Sequence, residues 1–329
     1  QMWQDLQTLL AQKPAATIRS GSSESLTARR GKIAIQVAHF REVADAARDF
    51  YSRNATHPKV GEAKKIEAIN SLRAVADGNA LEERHALALA TEFRADLSNS
   101  QANRFEVALA HERFRLSLRV RAKSSADAIP EWLKLADDLQ KEFGDQPALQ
   151  AFYVEVARRT DAATAAQIAA KVVRSPATPQ PARAEAQAML DRAGLIGQPL
   201  RLKVPTFSGG EIDLSRLQNK IVAVVVWSPS DPESVTSLAT MRHGIPAGVE
   251  VVYLALAGTP DQRMRARSVA PTAGSYCYLL PGGQGRAAAN ALKLRYAPAP
   301  YVYVLNRAGN VSGVGRLSEL HALLVKALG

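Results

Sequence analysis

The chain has 329 residues, 47 % hydrophobic and 22 % charged, with a formal net charge of +11. That is ordinary globular composition at a length that suggests two domains. It holds one cysteine, Cys277, which excludes an internal disulfide, a C-x-x-C pair and a cysteine-based zinc site.

Residues 1–195 read as an all-helical array of antiparallel hairpins. "QKPAATIRSGSSES" (12–25) is Ser/Gly-rich and reads as a loop whose last residues offer N-caps for a long helix. "EAKKIEAINSLRAVAD" (62–77) and "EERHALALATEFRADL" (82–97) place apolar residues three and four apart. "DAIPEWLKLADDLQKEF" (127–143) carries a Pro near its first turn and stops at "GDQP". "ALQAFYVEVARR" (148–159), "DAATAAQIAAKVV" (161–173) and "PARAEAQAMLDRAG" (181–194) follow, with "RSPATPQP" breaking the last two. "AARDFYSRNATHP" and "LADDLQKEFGDQP" both set an aromatic near a helix end before a Pro turn. This is faintly like a tetratricopeptide array, but the ~34-residue period is not kept, so the domain is an irregular helical repeat.

At "RAGLIGQPL" (192–200) the alanine-rich helical composition gives way to period-two patterning, which places the domain boundary at 195/196. "LRLKVPTF" and "EIDLSRL" flank Gly209-Gly210 as a small hairpin. "IVAVVVW" (221–227) and "VEVVYLALA" (249–257) read as buried strands, and "SYCYLL" (275–280) as extended. "PESVTSLATMRH", "DQRMRARSVA" and "GRAAANALKLRY" read as the helices between strands. "YVYVLNRAGNVSGVG" is a strand, a turn and a strand, and "SELHALLVKALG" is a closing helix. The alternation predicts an α/β domain with a parallel core and an antiparallel edge.

Charge is uneven. Residues 201–329 carry 14 Lys/Arg against 7 Asp/Glu, and residues 251–329 carry 9 against 2. This balance favours an acidic partner. The basic residues are dispersed without interleaved aromatics, so nucleic-acid binding is not expected. No apolar run approaches the roughly 18 residues needed to span a bilayer. No signal peptide is visible, and a start at Gln1 suggests a processed or trimmed N-terminus.

"GQPLRLKVPTFSGGEIDLSRLQNKIVAVVVWSPS" (197–230) and "LRYAPAPYVYVLNRAGNV" (294–311) resemble the TlpA-like branch of the thioredoxin superfamily, with redoxin and AhpC/TSA-type relatives. The resemblance covers about 196–329 and implies a thioredoxin-like fold with a central mixed sheet flanked by helices. It also implies thiol–disulfide reductase or peroxidase chemistry and a periplasmic or secreted location; the cytoplasm stays open.

In that family a C-x-x-C pair begins four residues after the strand-ending Trp. Counted from Trp227, those positions are Asp231 and Ser234; a peroxiredoxin-like register puts the peroxidatic thiol at Thr236 and the family Thr at Glu233. No thiol stands at any of them, and a carboxylate or hydroxyl cannot form a mixed disulfide. Ser230-Asp231-Pro232-Glu233 reads instead as a capping box with Pro in the first turn. The family's cis-proline falls on Pro300, with Pro298 as alternative. The resemblance then implies an extended-peptide groove formed by Trp227, Ala299, Pro300 and Tyr301. Cys277, between two tyrosines, reads as a buried small hydrophobe.

His39, His57, His85, His111, His243 and His321 show no metal or triad spacing. "GGQGRA" (282–287) lacks the third Gly of a dinucleotide loop. No cofactor or metal is therefore expected. The expected function is a redox-inactive thioredoxin-like module that binds protein or extended peptide, with an acidic segment favoured. The alternative is an oxidoreductase using Cys277 as a single thiol.

Overall fold

The computed structural model describes residues 1–12, 26–75, 79–120, 125–241, 245–269, 275–279, 283–295 and 300–328. Contacts divide the chain into two compact units, Gln1–Phe152 and Tyr153–Gly329.

The first unit is helical: α1 (Met2–Ala11), α2 (Leu26–Arg53), α3 (Val60–Ala74), α4 (Ala80–Ala95), α5 (Gln101–Val120), α6 (Ser125–Phe143) and the start of α7 (Pro147–Ala157). Neighbouring helices bury alanine-rich faces, as where Ala68, Leu72, Ala86, Ala90, Phe93 and Val107 join α3, α4 and α5. One charge is buried with them. The Glu67 side chain, 3 % exposed, accepts from Arg48 Nε at 2.7 Å and Tyr51 Oη at 2.6 Å. These two donors satisfy a carboxylate that would otherwise be costly to bury. The helix after Lys123 begins earlier than its proline suggests, with Pro130 inside α6. The Ser/Gly-rich loop at 13–25 lies outside the described residues.

The second unit contains α8 (Ala162–Arg174) and α9 (Gln180–Ala193), then β1 (Lys203–Pro205), β2 (Glu211–Asp213), β3 (Ile221–Trp227), α10 (Pro232–Met241), β4 (Val249–Leu256), α11 (Pro260–Val269), β5 (Ser275–Leu279), α12 (Gly283–Ala291), β6 (Tyr301–Leu305), β7 (Val311–Arg316) and α13 (Leu320–Leu328). By contacts, α8 and α9 lie with this unit, whereas the composition change falls at 195/196. Asp161 caps α8 by accepting the N–H groups of Ala163 and Thr164.

The sheet order is β5-β4-β3-β6-β7. β3, β4 and β5 are parallel; β6 and β7 are antiparallel. β1 and β2 form a separate hairpin. This is a thioredoxin-like arrangement: a mixed sheet with helices on both faces, after an all-helical array.

β3 is buried along its whole length because it is central and covered on both sides. Alternation divides its side chains. Val222, Val224 and Val226 share one core with Cys277, Leu292, Tyr301 and Tyr303. Ala223, Val225 and Trp227 share the other with Leu238, Ala266, Leu320 and Leu324. The β6–β7 turn closes at Gly309, whose φ of +80° suits a residue without Cβ.

Candidate functional site: the N-terminus of α10

β3 delivers the chain to the start of α10, where Trp227 is 0 % exposed. The next residues turn back on themselves. Asp231 N–H donates to the Ser228 carbonyl at 3.3 Å, and Asp231 Oδ2 accepts the Ser234 N–H at 3.2 Å. Ser234 Oγ accepts the Ser228 N–H at 3.0 Å, and Ser234 is 0 % exposed. Thr236 is exposed, and its Oγ1 donates to the Pro232 carbonyl at 2.9 Å.

The cap sits one residue later than the Ser230–Glu233 reading places it. The helix begins at Pro232, so Asp231 is the N-cap and satisfies the donor at the third helical position. Pro232 falls on the first helical position, where its missing N–H costs nothing. The Glu233 side chain lies outside the described residues. Positions 231 and 234 thus hold a carboxylate and a hydroxyl, both engaged by backbone.

Cys277 lies elsewhere. It is central in β5, opposite Leu254 in β4 and bridged on its other side to Thr206. Its side chain is 0 % exposed and belongs to the core on the sheet face opposite Trp227 and α10. Burial pushes its thiol pKa up to about 12. A thiol so rarely ionised, and separated from α10 by the sheet, is a poor nucleophile for chemistry at that helix.

The four groove residues do not share one face. Tyr301 is opposite Val226 in the β3–β6 register, and its ring lies 5.5 Å from Tyr303 and 5.4 Å from the Arg192 guanidinium. Trp227 packs on the other face. The register, continued one residue, sets Pro300 beside Trp227. Ala299 and Pro298 lie outside the described residues. Tyr301 as a groove wall with Trp227 is therefore corrected: strand alternation turns the two rings to opposite sides.

Among the described residues no group of three or more His, Cys, Asp or Glu side chains could hold a metal ion. His243 and Gly282 lie outside them. No helix among them is long and apolar enough to cross a membrane. Arg192, Glu319 and Tyr301 converge around a small cavity that sequence reasoning missed. Only the tertiary fold brings residues so distant in sequence together.

No family model matches this chain, and no curated protein matches it. Solved structures do. A putative thiol:disulfide interchange protein DsbE from Chlorobium tepidum is 19 % identical, over 41 % of this chain and 98 % of that one, with a TM-score of 0.33. The thioredoxin domain of a thiol-disulfide oxidoreductase from Bacteroides vulgatus is 11 % identical over the same shares, with a TM-score of 0.34. A secreted Mycobacterium tuberculosis disulfide oxidoreductase homologous to Escherichia coli DsbE is 18 % identical, over 38 % and 96 %, with a TM-score of 0.30. The fold assignment rests on strand order and direction: the C-terminal part of the chain is a thioredoxin-like domain, similar to those of DsbE/TlpA-like thiol-disulfide oxidoreductases.

Proposed function

We propose that this chain is a binding module for protein or extended peptide and not a thiol–disulfide enzyme. One observation carries the reading. The α10 N-terminus is closed by Asp231 and Ser234, while the only thiol is buried on the other side of the sheet. Exchange needs an accessible thiolate and a second thiol to resolve the mixed disulfide; this chain has one cysteine.

Extended-chain binding needs free backbone groups and apolar walls, not thiols. The strand entry at Pro300, one residue before the Tyr301–Val226 pair, is the candidate place on the second unit. The basic balance of residues 251–329 favours acidic segments through electrostatic complementarity.

The test has two arms on the full chain. Insulin reduction and peroxide consumption should stay at buffer level; turnover abolished by Cys277→Ser would overturn the redox-inactive reading. Fluorescence anisotropy with acidic and basic extended peptides should show weak, salt-sensitive binding of the acidic set. Equal binding of both sets, or none, would count against the peptide reading.

A further inference from the structure

A second place in the thioredoxin-like unit has the chemistry of a ligand site. Between α8, α9 and the β7–α13 segment lies a cavity of about 40 Å³, lined by Arg158, Ala162, Arg192, Tyr301, Arg316 and Glu319. Arg192 is 3 % exposed. Its Nη1 donates to the carbonyls of Lys293 at 3.2 Å and Arg295 at 2.8 Å, and its guanidinium lies over the Tyr301 ring. Its Nε is buried and has no acceptor among the described residues.

The carboxylates nearby are already committed. Glu319 Oε1 accepts the Arg316 N–H at 3.1 Å, and Oε2 accepts the Ala162 N–H at 3.4 Å. Glu185 is held by both Nε and Nη2 of Arg158. Asp161 caps α8. Arg192 forms no ion pair among the described residues, although buried charges are ordinarily paired. A buried guanidinium that lines a cavity and has no carboxylate partner among the described residues calls for an anion. The volume decides which part of one. One water needs about 10–15 Å³ of such space, so the cavity has room for a carboxylate head.

We propose that this cavity takes a carboxylate group, with Arg192 as its countercharge. The carboxylate comes from a free monocarboxylate or from the C-terminus of a peptide. Planar guanidinium and carboxylate match in geometry, and their opposite charges strengthen the hydrogen bonds between them.

The test uses the full chain labelled with ¹⁵N, following the Arg192 Nε–H resonance at constant ionic strength. Acetate replacing chloride should shift it saturably. A short peptide with a free C-terminus, compared with its amidated form, separates the two sources. A shift by the free-terminus peptide alone or by both probes assigns peptide termini, and a shift by acetate alone assigns small monocarboxylates. Arg192→Lys keeps the charge but loses the planar fork; read from the backbone amide shifts of Tyr301 and Glu319 beside the cavity, binding should weaken about tenfold. No saturable shift with either probe, an equal response to chloride, or undiminished binding in Arg192→Lys would overturn the proposal. If that variant does not fold, the wild-type titration alone decides.

Discussion

At residue scale, Cys277 gives two checks. Its thiol is 0 % exposed and its pKa is raised to about 12 by burial, so a thiol reagent should leave the native protein unmodified for as long as it stays folded. The same reagent should label it at once in denaturant. Rapid labelling of native protein would show that β5 opens or that the thiol is reachable. The linkage has a definite sign. The unfolded thiol ionises near its ordinary value, whereas the folded one stays protonated well above it. The unfolded state therefore binds fewer protons in between, and stability falls as pH rises from about 9 towards about 12. Denaturant midpoints across that range, compared with Cys277→Ala, should show a steeper alkaline loss in the wild type.

Asp231 and Ser234 give the complementary check at the helix start. Asp231→Ala removes the acceptor of the Ser234 N–H and should cost about 1 kcal/mol in chemical denaturation. Replacing both Asp231 and Ser234 by cysteine should create a pair one helical turn apart that closes under oxidant. Two free thiols in a folded, oxidant-treated double mutant would overturn the placement of a C-x-x-C pair at these two positions.

At element scale, what was legible and what was not follows from the range of the interactions. "IVAVVVW" could be read as a central strand because seven consecutive buried positions have no other economical use. The order of strands and helices after residue 200 was legible for the same local reason. The faces of the sheet were not. Trp227 and Tyr301 are separated only by parity, and parity depends on pairing Val226 with Tyr301, a contact across 75 positions. The place of α8 and α9 was equally hidden. Their alanine-rich faces fit any helical neighbour, and only the fold shows Ala162 and Leu195 packed against the sheet core.

β7 offers a test at this scale. A Cβ on Gly315 would come within 2.7 Å of Glu319 Oε2 and 3.3 Å of Leu323 Cδ1. The Glu319 carboxylate is held by two backbone N–H groups, so it cannot simply swing away. Gly315→Ala should cost about 1–3 kcal/mol, the usual range for overpacking, read as a lowered Tm. An unchanged Tm would mean that the Glu319 contacts are dispensable.

At the scale of the whole molecule, the question is which piece folds alone. The change of composition argues for a cut at 195/196, and a fragment 196–329 has the length and strands of a domain. The contacts argue for a cut at 152/153. The difference is the α8–α9 hairpin. Removing it strips Arg192 from the carbonyls of Lys293 and Arg295, uncovers one side of Tyr301, and frees the Glu319 oxygen held by Ala162. Two hydrogen bonds from a charged donor are together worth about 3 kcal/mol, before any apolar area is counted. Typical domain stabilities are only about 5–15 kcal/mol, so that loss is a large fraction of the whole. Fragment 153–329 should therefore unfold in one cooperative transition, and fragment 196–329 should unfold at a clearly lower denaturant midpoint or not fold. Equal midpoints would return the boundary to the change in composition and leave the hairpin a part of the helical array. A lower midpoint for 196–329 would instead mean that the last two helices complete the thioredoxin-like core.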